Sequence, residues 1–448
     1  MRTDVFYLKK MIEISAILFV SIFFTLVIIF PSLEKIKFKS YLILQNNLNF
    51  NILFFFSILN LILFLKIFNF DLSTIIYTVF LIYSALLILN LFNIKNFKFE
   101  KNLNYPLSIL FILILIIFIF SIDLANNLTL FWDTQKIWYP KALIFFYEGS
   151  ISDLKYSDYP HYSFFGSLIW AFFWKVSNMS SEYFGRIFYI VFFCFSILNL
   201  VNLSKVSAKK KIIFFLLLNL LIYNYWHFRG TQEILVFSLL LICFQFLFKT
   251  FFQHEKNIYN IVIIILSLNL ILWTKNEGLI LILIIMTLIM LFSKENYIYR
   301  STIFVIIFAL IFFRFYIFKL YGLEFDLSKD FDFKNIVSIF YENLKFKNLY
   351  FISKYIAFSF LKFPHILLSL VCAFLIFFDK KLLKKTLFLY FYLFLSIFSI
   401  FVIYLCSNSN VLEFMVSTGS LRLIFEFSSP YLLFILVFFE NRFKKIRD

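Results

Sequence analysis

The stretch FWDTQKIWYPKA, Phe131 to Ala142, sets a single carboxylate, Asp133, between the indoles of Trp132 and Trp138, with Lys136 and Lys141 close by. An acid in that setting is a candidate general base for an attacking hydroxyl, and neighbouring cations suit an anionic leaving group. Similar residue types recur in four other short polar stretches: DYPHY with Asp158 and His161, HFRGTQE with Arg229 and Glu233, TKNEG with Lys275 and Glu277, and SLR with Arg422. Each also has a purely structural explanation. Asp133 can cap the helix that follows it, and Lys136 and Lys141 can snorkel to lipid headgroups. Arg229 and Glu233, spaced i,i+4, can pair with each other, and so can Lys275 and Glu277. Arg422 can touch headgroups, or its guanidinium can fork onto a phosphate. Arg314 lies inside an apolar run and is expected to face the protein interior.

The elements that must hold these residues are apolar helices. The 448-residue chain is 62% hydrophobic with only 7 Gly and 6 Pro, and its mean hydropathy is +0.91, which excludes an ordinary soluble globule. Apolar runs of roughly 17–25 residues recur along it, each long enough to cross the hydrocarbon as a helix. The expected fold is all-α and polytopic with about 13 spans, among them Leu107–Ile122, Tyr183–Leu203, Glu233–Phe248, Ile258–Trp273, Leu279–Phe292, Tyr350–Phe378 and Leu421–Phe439. Residues 1–106 are expected to form accessory transmembrane helices, and residues 107–448 the catalytic transmembrane domain.

The net charge of +17 resides in short loops and not on a soluble face with aromatic platforms, so a nucleic-acid partner is not expected. The lipid bilayer is. Clusters at Lys35–Lys39, Lys95–Lys101, Lys205–Lys211, Lys380–Lys385 and Arg442–Arg447 can all share the cytoplasmic side, provided that Tyr162–Val176 dips into the membrane or lies along it. The polar stretches above then gather on the external face, together with the loop 319–348. The four cysteines have no paired spacing, the four histidines are scattered, and no nucleotide-binding loop is present. Disulfide, zinc and nucleotide chemistry are therefore not expected, and no cofactor or metal is assigned.

The pattern of WD at 132–133, Trp138, Lys141-Ala142, Gly149 and DYPHY at 158–162 resembles the first external loop of the GT-C superfamily of integral-membrane glycosyltransferases. The likeness is to the protein O-mannosyltransferase-like and aminoarabinose-transferase-like branch. It extends to KNEGL at 275–279 and to SLRL at 420–423 followed by Pro430, but four spans precede Asp133 here, where family members usually have one. The resemblance implies a GT-C-like fold with juxtamembrane helices in an external loop, a polyprenyl-phosphate-linked sugar donor and a glycan, lipid or protein acceptor. It also implies an active site at the external, periplasmic face of a bacterial inner membrane. Asp133 would be the catalytic base of an inverting displacement. Trp138, Lys141, Asp158, His161, Arg229, Lys275, Glu277 and Arg422 would bind substrate. The alternatives are a polysaccharide polymerase or ligase, or a lipid-linked saccharide transporter or flippase. A transporter would be marked by helices broken at mid-bilayer.

Overall fold

The computed structural model describes residues 2–29, 47–93, 107–251, 255, 257–293, 297–323, 335–408 and 411–445. Among the described residues the regular structure is entirely helical, with no strand. In chain order the helices are α1 (Arg2–Ile29), α2 (Asn47–Ile67), α3 (Leu72–Asn93), α4 (Leu107–Asn126), α5 (Tyr139–Phe146), α6 (Phe165–Ser177), α7 (Tyr183–Leu203), α8 (Ala208–Ile222) and α9 (Glu233–Phe251). They continue with α10 (Ile258–Thr274), α11 (Gly278–Phe292), α12 (Tyr297–Leu320), α13 (Ile336–Asn343), α14 (Phe346–Lys362), α15 (Pro364–Phe377), α16 (Lys380–Leu405), α17 (Leu412–Phe427) and α18 (Leu432–Lys445).

Two helices that are apolar all round, α7 and α9, form the centre, as such helices must when they lose contact with both water and lipid. Their span-length windows are 100% and 94% buried. Helices α4, α6, α8, α10 and α17 pack around them. Polar side chains inside this bundle bond across helix pairs: Gln245 on α9 accepts from Asn199 on α7 and donates to the Ser196 carbonyl at 3.0 Å, and Asn269 on α10 donates to Asn60 on α2 at 2.7 Å. Where no water competes, small polar contacts of this kind fix which helix faces meet.

Among the described residues seven helices are long and apolar enough to cross a membrane, and up to nine if each of two bent pairs counts as one span. These are the helices of an integral membrane protein. Three expected spans, near Thr74–Phe92, Ile258–Trp273 and Leu279–Phe292, coincide with shorter apolar helices. The run expected as a single span over Tyr350–Phe378 is broken: α14 and α15 meet at 96°. Pro364 is the cause, because it lacks the N–H that a continuous helix needs and forces Phe363 into extended backbone. A second break of 43° separates α17 from α18 at Ser428–Tyr431, next to Pro430. Helix α6 has 13 residues, about 20 Å of rise and short of the hydrocarbon's thickness. It is buried against α5 and α7.

The boundary placed at residue 106 falls outside the described residues, as do the lysine clusters at 35–39 and 95–101 and the segment 324–334 of the loop 319–348. On the near side of that boundary α1 packs on α4 and α7, and α2 packs on α10. Phe24 sets its ring edge-on to Phe173 at 4.8 Å between centroids.

Candidate functional site

Asp133 opens a π-helical turn, Thr134–Trp138, that runs directly into α5. A π-turn widens the backbone by one residue and is frequent at functional sites. The capping explanation does not hold. Asp133 has helical φ and ψ, and its side chain caps nothing. Its carboxylate instead accepts a charge-assisted hydrogen bond from Nη1 of Arg422, 289 residues away on α17. The HFRGTQE turn packs beneath this contact, with the Phe131 amide donating to the Arg229 carbonyl at 3.3 Å. Gly230 allows the close approach: its φ is +83°, and a β-carbon there would stand 2.3 Å from Thr134 Cγ2. Arg186 supports the same turn from below, donating to the Phe228 carbonyl at 3.0 Å while paired with Glu182.

From Arg422 a line of ion pairs runs inward. Its Nε lies 2.9 Å from Oε1 of Glu233, the first residue of α9. That oxygen also takes the Lys275 ammonium at 3.2 Å. Lys275 further contacts Glu426, one turn beyond Arg422 on α17, and Glu277 at 3.6 Å. Lys275, Glu233 and Glu426 are buried, whereas the side chains of Asp133, Glu277 and Arg422 remain 23%, 25% and 38% exposed. The line therefore has a wet end and a dry end. Burial alone would lower the Lys275 pKa, but Glu233, Glu277 and Glu426 outweigh it and raise that pKa, so the ammonium stays charged. Glu233, Glu277 and Glu426 each keep one carboxylate oxygen without a hydrogen-bond partner. His227 stacks on Phe425 at 3.5 Å between ring centroids, and burial drives its pKa down to about 3, which leaves a neutral wall beside Glu233.

A second cluster lies one residue away in the chain. Arg314 on α12 donates to Ser163 Oγ at 2.8 Å and to Asn276 Oδ1, the residue between Lys275 and Glu277. It is buried, as expected from sequence, and among the described residues no carboxylate pairs with it. Its Nη1 has no partner. Lys141 is likewise fully buried and donates to the backbone carbonyls of Tyr162 and Pro160. Burial and then Arg314 push its pKa well below the usual lysine range.

Of the residues singled out in the sequence, Asp133, Lys275, Glu277 and Arg422 meet in the ion-paired line. Lys141 is a buried tie for the DYPHY turn and does not snorkel to headgroups. Trp138 is buried, edge-on to Tyr162. His161 is buried among Tyr159 and Tyr162, and Asp158 is exposed at the turn. Arg229 and Glu233 do not pair: Arg229 donates to the Thr129 carbonyl at 2.9 Å and lies over the rings of Phe131 and Trp226, while Glu233 turns inward to Lys275 and Arg422. Sequence reasoning passed over Glu426 and treated Glu233 only as a partner for Arg229. Glu426 had a signal, being an acid inside an apolar run and four residues after Arg422, where intramembrane acids ordinarily mark function. Among the described residues no group of His, Cys, Asp and Glu is arranged to hold a metal ion. No family model, curated protein or solved structure matches the chain.

Proposed function

We propose that the protein is an integral-membrane glycosyltransferase that moves a sugar from a polyprenyl-phosphate carrier to an acceptor hydroxyl on a glycan, lipid or protein. In this reading Asp133 takes the acceptor's proton, the hydroxyl oxygen attacks the anomeric carbon, and the carrier phosphate leaves with the bonding electron pair, inverting the anomeric configuration. The observation that carries it is the meeting of Asp133 and Arg422 at the partly exposed end of a buried charge line. A carboxylate and a guanidinium 289 residues apart in the chain meet there at one partly exposed contact. The external, periplasmic side of a bacterial inner membrane and a GT-C-like arrangement of about 13 segments belong to the same proposal. The two groups touch, so Arg422 must part from Asp133 before a sugar can lie between them.

The test is transfer of radiolabelled sugar from a polyprenyl-phosphate donor in proteoliposomes. Asp133→Asn keeps the size of the side chain and removes its basicity, so turnover should fall by about 10²–10⁴-fold with donor binding retained. Undiminished turnover in the correctly inserted variant removes the base assignment. Polymerase or ligase chemistry would use the same opening and differs in the acceptor. A second reading, a lipid-linked saccharide transporter, is favoured by one observation: the two helix breaks meet, His365 beside Pro364 lying 2.9 Å from Ser428 at the α17–α18 break. Broken helices that face each other are a transporter's means of building a site. Movement of a labelled lipid-linked saccharide across the bilayer without any transfer would decide for it.

A further inference from the structure

Arg422 is held from two sides, and the two holds differ in kind. On the inner side its Nε lies 2.9 Å from Glu233 Oε1, an ion pair without hydrogen-bond alignment. Glu233 is buried and tied in turn by Lys275 at 3.2 Å. That partner cannot follow Arg422 outward without leaving its charge unpaired in a dry site, which is costly. On the outer side Nη1 meets Asp133, whose carboxylate is partly exposed and which opens a short π-turn. Water or another anion can replace Asp133 there at little cost.

We propose that Glu233 is a positioning residue that pins Arg422 by its Nε, and that the outer edge of the guanidinium exchanges Asp133 for an incoming phosphate oxyanion. The resting contact blocks the base. An anionic phosphate group arriving first draws Nη1 away, and the Asp133 carboxylate becomes free for the acceptor hydroxyl. The exchange is a substitution of one charge-assisted hydrogen bond for another, with no bond made or broken covalently and no proton moved. It sets an order, phosphate-bearing donor before acceptor, and keeps the base covered when no donor is present, so that water is not activated. The involvement of a donor rests on the transferase reading above; the exchange itself needs only an oxyanion.

The experiment uses the full chain in detergent micelles and follows modification of the Asp133 carboxyl by a water-soluble carbodiimide and an amine, read by mass spectrometry. The probes are polyprenyl phosphate, inorganic phosphate and uncharged polyprenol. Polyprenyl phosphate should raise Asp133 modification about tenfold, the population shift that exchanging one charge-assisted hydrogen bond supports. Polyprenol should leave it unchanged. A response to inorganic phosphate as strong as to the lipid assigns the exchange to the bare oxyanion, and a response to the lipid alone assigns it to the carrier. Glu233→Gln removes the pin and leaves Asp133 as the one carboxylate in direct contact with Arg422, so the phosphate response should disappear, while Glu233→Asp should restore part of it. Unchanged or reduced modification with both phosphate probes overturns the proposal, as does an equal rise with polyprenol or a full response in Glu233→Gln. Sugar transfer by a wild-type protein whose Asp133 modification does not respond to phosphate defeats the exchange alone. A clear response without any transfer defeats the transferase reading and leaves the exchange standing.

Discussion

The turn Lys275-Asn276-Glu277 feeds two clusters that meet the same problem, a cation out of water, in opposite ways. Lys275 is compensated by charge, with Glu233, Glu426 and Glu277 around it. Arg314, reached through Asn276, hydrogen-bonds only to neutral groups, Ser163 and Asn276, and feels the Glu277 carboxylate from a distance. The charged cluster has an excess of acids over bases, and the neighbouring cluster holds Arg314 and Lys141 without a carboxylate. The charged line ends at a partly exposed ion pair, whereas the dipolar cluster fastens the segment after the DYPHY turn to α12.

Removing the cation from each cluster breaks the comparison most sharply. Lys275→Met removes the cation shared by Glu233, Glu426 and Glu277, and breaking a buried pair of this kind costs about 3–5 kcal/mol; detergent-solubilised protein should show a correspondingly large fall in its unfolding midpoint. Arg314→Met leaves only neutral acceptors without their donor, for about 1–3 kcal/mol. A loss for Arg314→Met equal to that for Lys275→Met would mean that a charge partner, with Glu277 the nearest candidate, supports Arg314 after all.

An acid titration sharpens the comparison further. His227 has its pKa lowered from 6.5 to about 3 by burial, against a smaller opposing pull from Glu233. The unfolded chain therefore binds a proton that the folded chain refuses between those values, and stability falls as pH drops through that window. His227→Phe should flatten this part of the stability curve relative to wild type, and an unaltered slope would place a protonated histidine beside Glu233. The smallest effect is expected outside both clusters. Glu148 pairs with Lys175 and accepts from Ser73, with both charged side chains about a third exposed. Glu148→Gln should cost about 0.2–1 kcal/mol, the range of screened surface pairs. A loss approaching that of Lys275→Met would show that this bridge between α3 and the α5–α6 segment carries more than a surface contact.

Hydropathy alone made the fold class legible, because a helix in lipid must satisfy its backbone internally and leaves an uninterrupted apolar run behind. The central helices α7 and α9 are two such runs, read with nearly the same bounds in sequence and structure. The run over Tyr350–Phe378 was not legible as two helices. Hydropathy averages over Pro364, and the bend depends on what the freed backbone packs against. Within the site, Asp133, Lys275, Glu277 and Arg422 stood out because an ionisable group between apolar spans has few reasons to persist. Glu426, inside an apolar run, carried the same signal and was passed over.

By itself, then, the sequence determined which side chains were costly to keep and which segments were greasy enough to be helices. Local composition suffices for that, since transfer out of water is a property of each residue. Only the tertiary structure decided who neutralises whom. The i,i+4 spacing of Arg229 and Glu233 offered a local pair, yet Glu233 turns to Lys275 and Arg422, and Arg229 rests on Phe131 and Trp226. Asp133 passes over the adjacent helix terminus for a guanidinium 289 residues away. Electrostatic attraction strengthens as water is excluded, and which groups lose water together depends on how α9, α10 and α17 pack, which no single segment encodes.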